Sequence, residues 1–382
     1  MTLAEVSEFA GSVQAAMISR LAELVRFESP SRDKPALDAL GTLLAQLLRD
    51  AGAAVEIIAN TLGGDHLIGR IAGPPGQRPA LVLCHFDTVW PVGTLDRMPF
   101  RLDENGRAHG PGVFDMKASL VVVLAVLEKL KHDRHLIPRP IWVLFTSDEE
   151  IGSPTSRSLI EALAVESGYV LVLEPALADG GLKTSRKGVG RFHLDIEGKA
   201  AHSGVAPQNG RSAILELARQ ILKLEEFQDI PAGTTINVGV VRGGTTTNVV
   251  PAHASAEIDV RVATLAEETR IEAALKALLP VNPENRLTLS GSFNRPPMEP
   301  TRANASLFAR ARELARAGPQ GFELTEGPSG GGSDGNFTSA LGIATLDGLG
   351  PRGSGAHADD EHILVASLPE RAALIHRLLI GL

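Results

Sequence analysis

Ala80-Leu81-Val82-Leu83-Cys84 is a run of five apolar residues that leads straight into His85-Phe86-Asp87. The pattern recurs twice. Pro140-Ile141-Trp142-Val143-Leu144-Phe145 leads to Asp148-Glu149-Glu150, and Tyr169-Val170-Leu171-Val172-Leu173 leads to Glu174. Apolar runs that are continuous rather than alternating are how strands covered on both faces read. Helical patterns separate them, Lys117 to Lys131 and Thr155 to Ala164, so the order is strand, helix, strand, helix, strand. That order predicts an α/β fold, a central, mostly parallel sheet flanked by helices, with the three runs as its inner strands. Upstream, Pro35 to Ala51 carries Leu and Ala at helical spacing and stops at Gly52, while Ala54 to Ile58 and His66 to Ile71 read as outer strands.

From about Gly190 the rhythm changes. Phe192, Leu194 and Ile196 alternate with polar residues, and Ile236 to Val241, Ala254 to Val262 and Arg286 to Ser290 also read as strands, interleaved with helices at 211–225 and 266–278. This strand-helix-strand-strand-helix-strand order predicts an α+β, ferredoxin-like insert. The α/β pattern resumes after Pro300, with a helix at 303–316, a strand near Ile343 to Leu346 and a last helix from Leu368. The expected division is therefore a discontinuous domain of residues 1–186 and 298–382, interrupted by an inserted domain of residues 187–297.

With 382 residues, 43% of them hydrophobic, the chain can bury about three quarters of its surface, which excludes disorder and fits two cores better than one. The net charge of −8 with no basic cluster argues against a nucleic acid partner. No apolar run of signal-peptide length occurs in the first 30 residues, and no stretch reaches 18 apolar residues, so no membrane partner is expected. A single cysteine suits a reducing compartment, and the expected location is the cytoplasm.

The acids and histidines gain meaning from position. In open α/β sheets, ligands bind beyond the carboxyl ends of the strands, and three adjacent ends would gather His85, Asp87, Asp148, Glu149, Glu150 and Glu174 there. Any one of them is ordinarily a cap or a solvated turn residue. Together they repel one another unless a cation sits among them, and His with carboxylates, without a cysteine cluster, suits zinc and permits cobalt or manganese. His85 and Asp87 lie two apart and face the same way on an extended strand, so Asp87 can orient the ring. Glu149 and Glu150, in an extended turn, point to different sides, so one can bind metal while the other faces water.

His85-Phe86-Asp87-Thr88-Val89, Gly110-Pro111-Gly112-Val113-Phe114-Asp115-Met116-Lys117, Asp148-Glu149-Glu150-Ile151-Gly152, Leu173-Glu174-Pro175 and Gly355-Ala356-His357 follow one another over nearly the whole chain. The series resembles the dinuclear zinc exopeptidases of the glutamate carboxypeptidase, aminoacylase and acetylornithine deacetylase type. The resemblance implies two Zn²⁺ per subunit, bridged by Asp115, with His85 and Glu174 completing one site and Glu150 and His357 the other. It further implies Glu149 as general base, Asp87 as the residue orienting His85, and a cis peptide between Asp115 and Met116.

In the insert, Ala201-His202-Ser203-Gly204 resembles the family's lid motif, which implies that His202 stabilises the oxyanion in the partner subunit's site of a homodimer formed through the insert. Asn248 in Thr247-Asn248-Val249 and Arg261 in Asp259-Val260-Arg261 stand where the family holds the substrate's carbonyl and carboxylate. Arg295 is either another such contact or a salt-bridged surface residue. Gly331, in Gly330-Gly331-Gly332-Ser333-Asp334-Gly335, belongs to a loop that resembles the family's substrate loop; a phosphate cradle is disfavoured because no Lys follows at P-loop spacing. His362, Cys84, Trp90 and Trp142 read as structural.

The activity implied is metal-dependent hydrolysis that frees a C-terminal amino acid, glutamate first, from a small peptide or N-acyl amino acid. Deacylation of N-acetylornithine or succinyl-diaminopimelate is the alternative within the same chemistry. A non-catalytic binding member of the fold would be expected to lack Glu149 or a ligand, and none is missing.

Overall fold

A computed structural model describes residues 3–133, 137–317 and 321–382, with side chains from Val13 onward. The chain begins with α1 (Leu3–Val25), α2 (Lys34–Asp50), β1 (Ala54–Ile58), β2 (His66–Ile71), β3 (Ala80–His85), β4 (Arg101–Leu102) and β5 (Arg107–His109). It continues with α3 (Ala118–Asp133), β6 (Ile141–Thr146), α4 (Arg157–Glu166), β7 (Tyr169–Val172) and β8 (Leu182–Arg186). Next come β9 (Gly188–Glu197), β10 (Ala201–His202), α5 (Ala213–Glu225), β11 (Thr235–Gly243), β12 (Val249–Val250), β13 (His253–Val262), α6 (Leu265–Lys276) and β14 (Arg286–Arg295). The last stretch holds α7 (Arg302–Arg316), β15 (Glu326–Ser329), α8 (Gly335–Ala340), β16 (Thr345–Leu346), β17 (Gly353–Ser354), β18 (His362–Leu364) and α9 (Ser367–Gly381). Two compact units result: one comprises residues up to Thr184 with Pro300–Pro328 and Ser333–Leu382, the other Ser185–Glu299 with Ser329–Gly332.

In the first unit a six-stranded sheet has the order β1-β2-β6-β3-β7-β16. The three apolar runs are β6, β3 and β7, adjacent and parallel, with His85 opposite Thr146 and Leu83 opposite Val172. Every residue of β3 is buried because both sheet faces are covered. Val82, Val143 and Leu171 pack in one core with residues of α2, α3 and α9, and Leu81, Leu83, Leu144 and Val170 in another with Ile160, Leu163 and Phe337. Two layers of helix around one sheet thus explain why alternation is absent from these strands. α2 starts where Asp33 accepts a hydrogen bond from Ala36 N (3.0 Å) with Pro35 in the first turn, and Leu37, Leu40, Leu44 and Leu48 line its buried side. Two features were not legible in the sequence. They are α1 and a small antiparallel sheet, β17-β18-β5-β4, built from strands of two or three residues, too short to carry a period.

The second unit is a four-stranded sheet, β11-β13-β9-β14, antiparallel throughout. Phe192, Leu194, Ile196, Ala256, Ile258 and Val260 form its core with Leu217 and Leu224 of α5 and Ile271 and Leu275 of α6. One covered face and one polar face are what the alternating pattern recorded, and the strand order is ferredoxin-like. β14 runs to Arg295, five residues beyond the expected Ser290. Among the described residues no helix is long and apolar enough to cross a membrane.

Candidate metal centre

Parallel pairing of β6, β3 and β7 brings their carboxyl ends to one edge, so His85 closes β3, Glu149 and Glu150 follow β6, and Glu174 follows β7. Asp115 reaches the same place from the segment before α3, where Gly112 turns the chain at φ +70° and the Asp115–Met116 peptide is cis, as expected. A side chain on Gly112 would also meet Thr88 Cγ2 at 2.5 Å, so glycine is required there. His357 arrives from the loop between β17 and β18 at φ +64°, a left-handed conformation rare outside glycine.

Six of the residues singled out above meet in this unit. His85 Nε2 lies 3.1 Å from Asp115 Oδ1 and 3.5 Å from Glu174 Oε1. His357 Nε2 lies 3.5 Å from Asp115 Oδ2 and 3.2 Å from Glu150 Oε2. The two oxygens of Asp115 thus face different histidines. Glu149 groups with His85 and Glu174, and Glu150 with His85 and Asp115, their ligand atoms within 4.8 Å of one another.

Asp87 underpins the cluster, though differently from the expectation. Its own main-chain carbonyl is the nearer partner of His85 Nδ1, at 3.0 Å, with Oδ1 at 3.4 Å. The carboxylate, fully buried, accepts from Glu149 N (3.1 Å), Glu150 N (3.1 Å) and Ser31 Oγ (2.7 Å). A carbonyl acceptor fixes the proton on Nδ1 and leaves the Nε2 lone pair for a cation. Glu149 and Glu150 lie in a single 3₁₀ turn, Glu149–Ile151, rather than in extended backbone, because both N–H groups are tied to Asp87. Asp148 does not join them. Its buried carboxylate is spent on Thr155 N, Thr155 Oγ1, Ser156 N and Ser156 Oγ.

The electrostatics are those of carboxylates sharing cations. Burial disfavours a charged His85, yet hydrogen bonds to Asp115, Asp87 and Glu174 outweigh it and raise its pKa well above the ordinary value. Hydrogen bonds to Asp115 and Glu150 raise His357 to about 10. Burial, followed by the Asp115 charge, pushes Glu150 up to about 7. Burial also opposes ionisation of Asp115, but its two histidine partners hold it well below the usual carboxylate range. Glu150 Oε1 is buried with no hydrogen-bond partner. Two imidazoles and three carboxylates, with one buried oxygen unspent and no thiolate, fit divalent zinc, cobalt or manganese.

Residues 81–381 match the model of peptidase family M20/M25/M40. The chain belongs to this family. It is therefore an enzyme of the metallopeptidase and amidohydrolase class. Among M20 relatives, carboxypeptidase G2 of a Pseudomonas species is 32% identical over 379 residues, covering 97% of this chain and 90% of the relative. Succinyl-diaminopimelate desuccinylase of Delftia acidovorans is 26% identical over 351 residues, 85% of this chain and 88% of that one. The crystal structure of a Staphylococcus aureus tripeptidase shares the M20 fold at a TM-score of 0.81 and 22% identity, covering 96% of this chain and 97% of that one.

The remaining candidate residues lie in the second unit of the M20 chain. His202 pairs with Val249 across β10 and β12, and Ser203 N donates to Asn248 O (3.0 Å), which places His202 beside Asn248. Arg261 and Arg295 oppose Val189 from its two sides, so they share one row of the sheet. Arg261 forks onto the Asp259 carboxylate at 2.7 and 3.0 Å. Arg295 is buried rather than on the surface. Gly332 presses onto the same row, since a Cβ there would meet Arg295 Cδ and Val189 Cγ2 at 2.9 Å. Arg186, not singled out in the sequence, holds this loop by donating to Gly331 O (3.0 Å) and Gly332 O (3.3 Å).

Proposed function

We propose that the chain is a dinuclear amidohydrolase that releases a C-terminal amino acid, glutamate first, from a peptidyl or N-acyl group. The observation that carries the reading is Asp115, whose two oxygens face different histidines as an acid shared by two cations would. His85 and Glu174 would hold one ion and Glu150 and His357 the other, with zinc the first candidate. Such ions, when bound, acidify a water and polarise the scissile carbonyl.

The chain's own groups divide the remaining work. Glu149, grouped with His85 and Glu174, takes the water's proton and passes it to the leaving nitrogen. His202 Nδ1 accepts from Gly204 N (3.2 Å) and Val205 N (3.1 Å), so the neutral ring carries its proton on Nε2 and can donate it to an oxygen that gains charge. Asn248 and the Arg261 fork, braced by Asp259, take the substrate's carbonyl and carboxylate, with Arg295 and the loop at Gly331 beside them. Exposed Ile214, Leu215 and Leu222 on α5, with Val240 and Val241 on the edge strand β11, support a homodimer formed through the second unit. The lone, buried, unpaired Cys84 supports a cytoplasmic location.

Zinc-loaded protein assayed on N-acyl-glutamate and folate-type substrates, beside N-acetylornithine and succinyl-diaminopimelate, tests the proposal. Release of glutamate is expected. Turnover of only the latter two would replace it with the deacylase reading.

A further inference from the structure

Glu361 is not singled out by the sequence, yet its carboxylate takes four hydrogen bonds beside the cluster. It is fully buried. Oε2 accepts from Trp90 Nε1 (2.8 Å) and Gly112 N (2.8 Å), while Oε1 accepts from Phe114 N (2.9 Å) and Asp115 N (3.1 Å). Three of those four donors are main-chain N–H groups of the turn that presents Asp115. Trp90, read from the sequence as packing alone, supplies the fourth.

Glu361 lies four residues beyond His357, and its main-chain N–H closes a turn onto Ala358 O (2.9 Å). Gly355 is pressed against it, since a Cβ there would meet Glu361 N and Cα at 2.9 Å. The same residue therefore anchors the loop that carries His357 and the turn that carries Asp115. A carboxylate suits this place because both oxygens are acceptors, and each takes two donors. A buried carboxylate held only by neutral N–H groups also favours positive charge nearby.

We infer that Glu361 is a positioning residue for the metal centre: it holds the Asp115 turn and the His357 loop in one register, so that Asp115 stands between the two histidines before any cation arrives. The inference rests on reading the His85, Asp115 and His357 cluster as a metal site. Buried partners behind metal ligands commonly contribute about 10- to 100-fold in metal affinity.

Glu361→Gln tests it in the full chain, with cobalt as the probe. The amide replaces one acceptor oxygen by an NH₂ that faces two N–H donors, whichever way it is placed. Cobalt affinity, measured by chelator competition, is expected to fall about 10- to 100-fold. The visible cobalt spectrum, which reports ligand geometry, is expected to change with it. A folded Glu361→Gln protein with parental affinity and spectrum overturns the inference. Should that variant fail to fold, Trp90→Phe decides, because it keeps the carboxylate and removes one donor: a several-fold loss of cobalt affinity supports the inference, and parental affinity overturns it. Parental protein that binds no cobalt overturns the metal reading, and the inference with it.

Discussion

The acid and histidine cluster of the first unit and the row of candidate residues in the second are built on different terms. In the first, most of the side chains are set by buried groups: Asp87 ties down the glutamate turn, Glu361 the Asp115 turn, and the strand ends themselves place His85 and Glu174, while His357 is half exposed. In the second, His202 at the end of β10 and Asn248 in the turn before β12 are both exposed, and the His202 ring bonds to the nearby Gly204 and Val205 N–H groups. A centre that binds cations needs geometry set in advance, because misplaced charges repel. Groups that meet a substrate can be held more loosely and gain their final partners on binding.

The contrast can be broken from the first side. Asp115→Ala is expected to lower turnover by about 10³-fold or more, since the chemistry the ions supply is worth several kcal/mol, and to reduce the metal bound per chain. Parental metal content in that variant would remove Asp115 from its shared position. From the second side, His202→Ala is expected to lower kcat by about 10²- to 10³-fold, as loss of one oxyanion donor does, with metal content unchanged. A matching loss of metal would erase the distinction between the two regions.

A smaller effect concerns protons. His357 is raised to about 10 and Glu150 to about 7, so the folded, metal-free protein binds protons that the unfolded chain gives up near their ordinary values. A raised pKa contributes stability below the unfolded value that is lost as pH rises through the folded one. The melting temperature of metal-free protein should therefore fall as pH rises from about 4.5 toward 10, first through the Glu150 window and then through that of His357. Zinc affinity should rise over the same range, because fewer protons must be displaced. Thermal melts with and without zinc check both signs; a metal-free protein that grows more stable across that window would contradict them.

How much of this was legible follows the same division. The apolar runs ending at Cys84, Phe145 and Leu173 are nearly coincident with β3, β6 and β7, because strands buried on both faces leave a continuous signal. The period-two strands of the second unit were equally plain, and Arg286–Ser290 fell short only because β14 continues through Gly291, which breaks the pattern. The metal-centre residues could be named because they cluster at strand ends and in the motifs the resemblance carried. Their supports could not. Glu361 and Ser31 act on backbone or carboxylate groups distant in the chain, and nothing in their immediate neighbours announces it. Asp148 shows the converse, an acid in the expected place whose oxygens turn back onto Thr155 and Ser156.

The central claim is that one glutamate of the adjacent pair moves protons while its neighbour holds metal. Zinc content and turnover of Glu149→Gln, measured on the same preparation, test it most directly. The account predicts two zinc ions per chain and turnover reduced by about 10²- to 10⁴-fold, the range for a lost general base. Parental turnover, or a variant that fails to retain zinc, would contradict it.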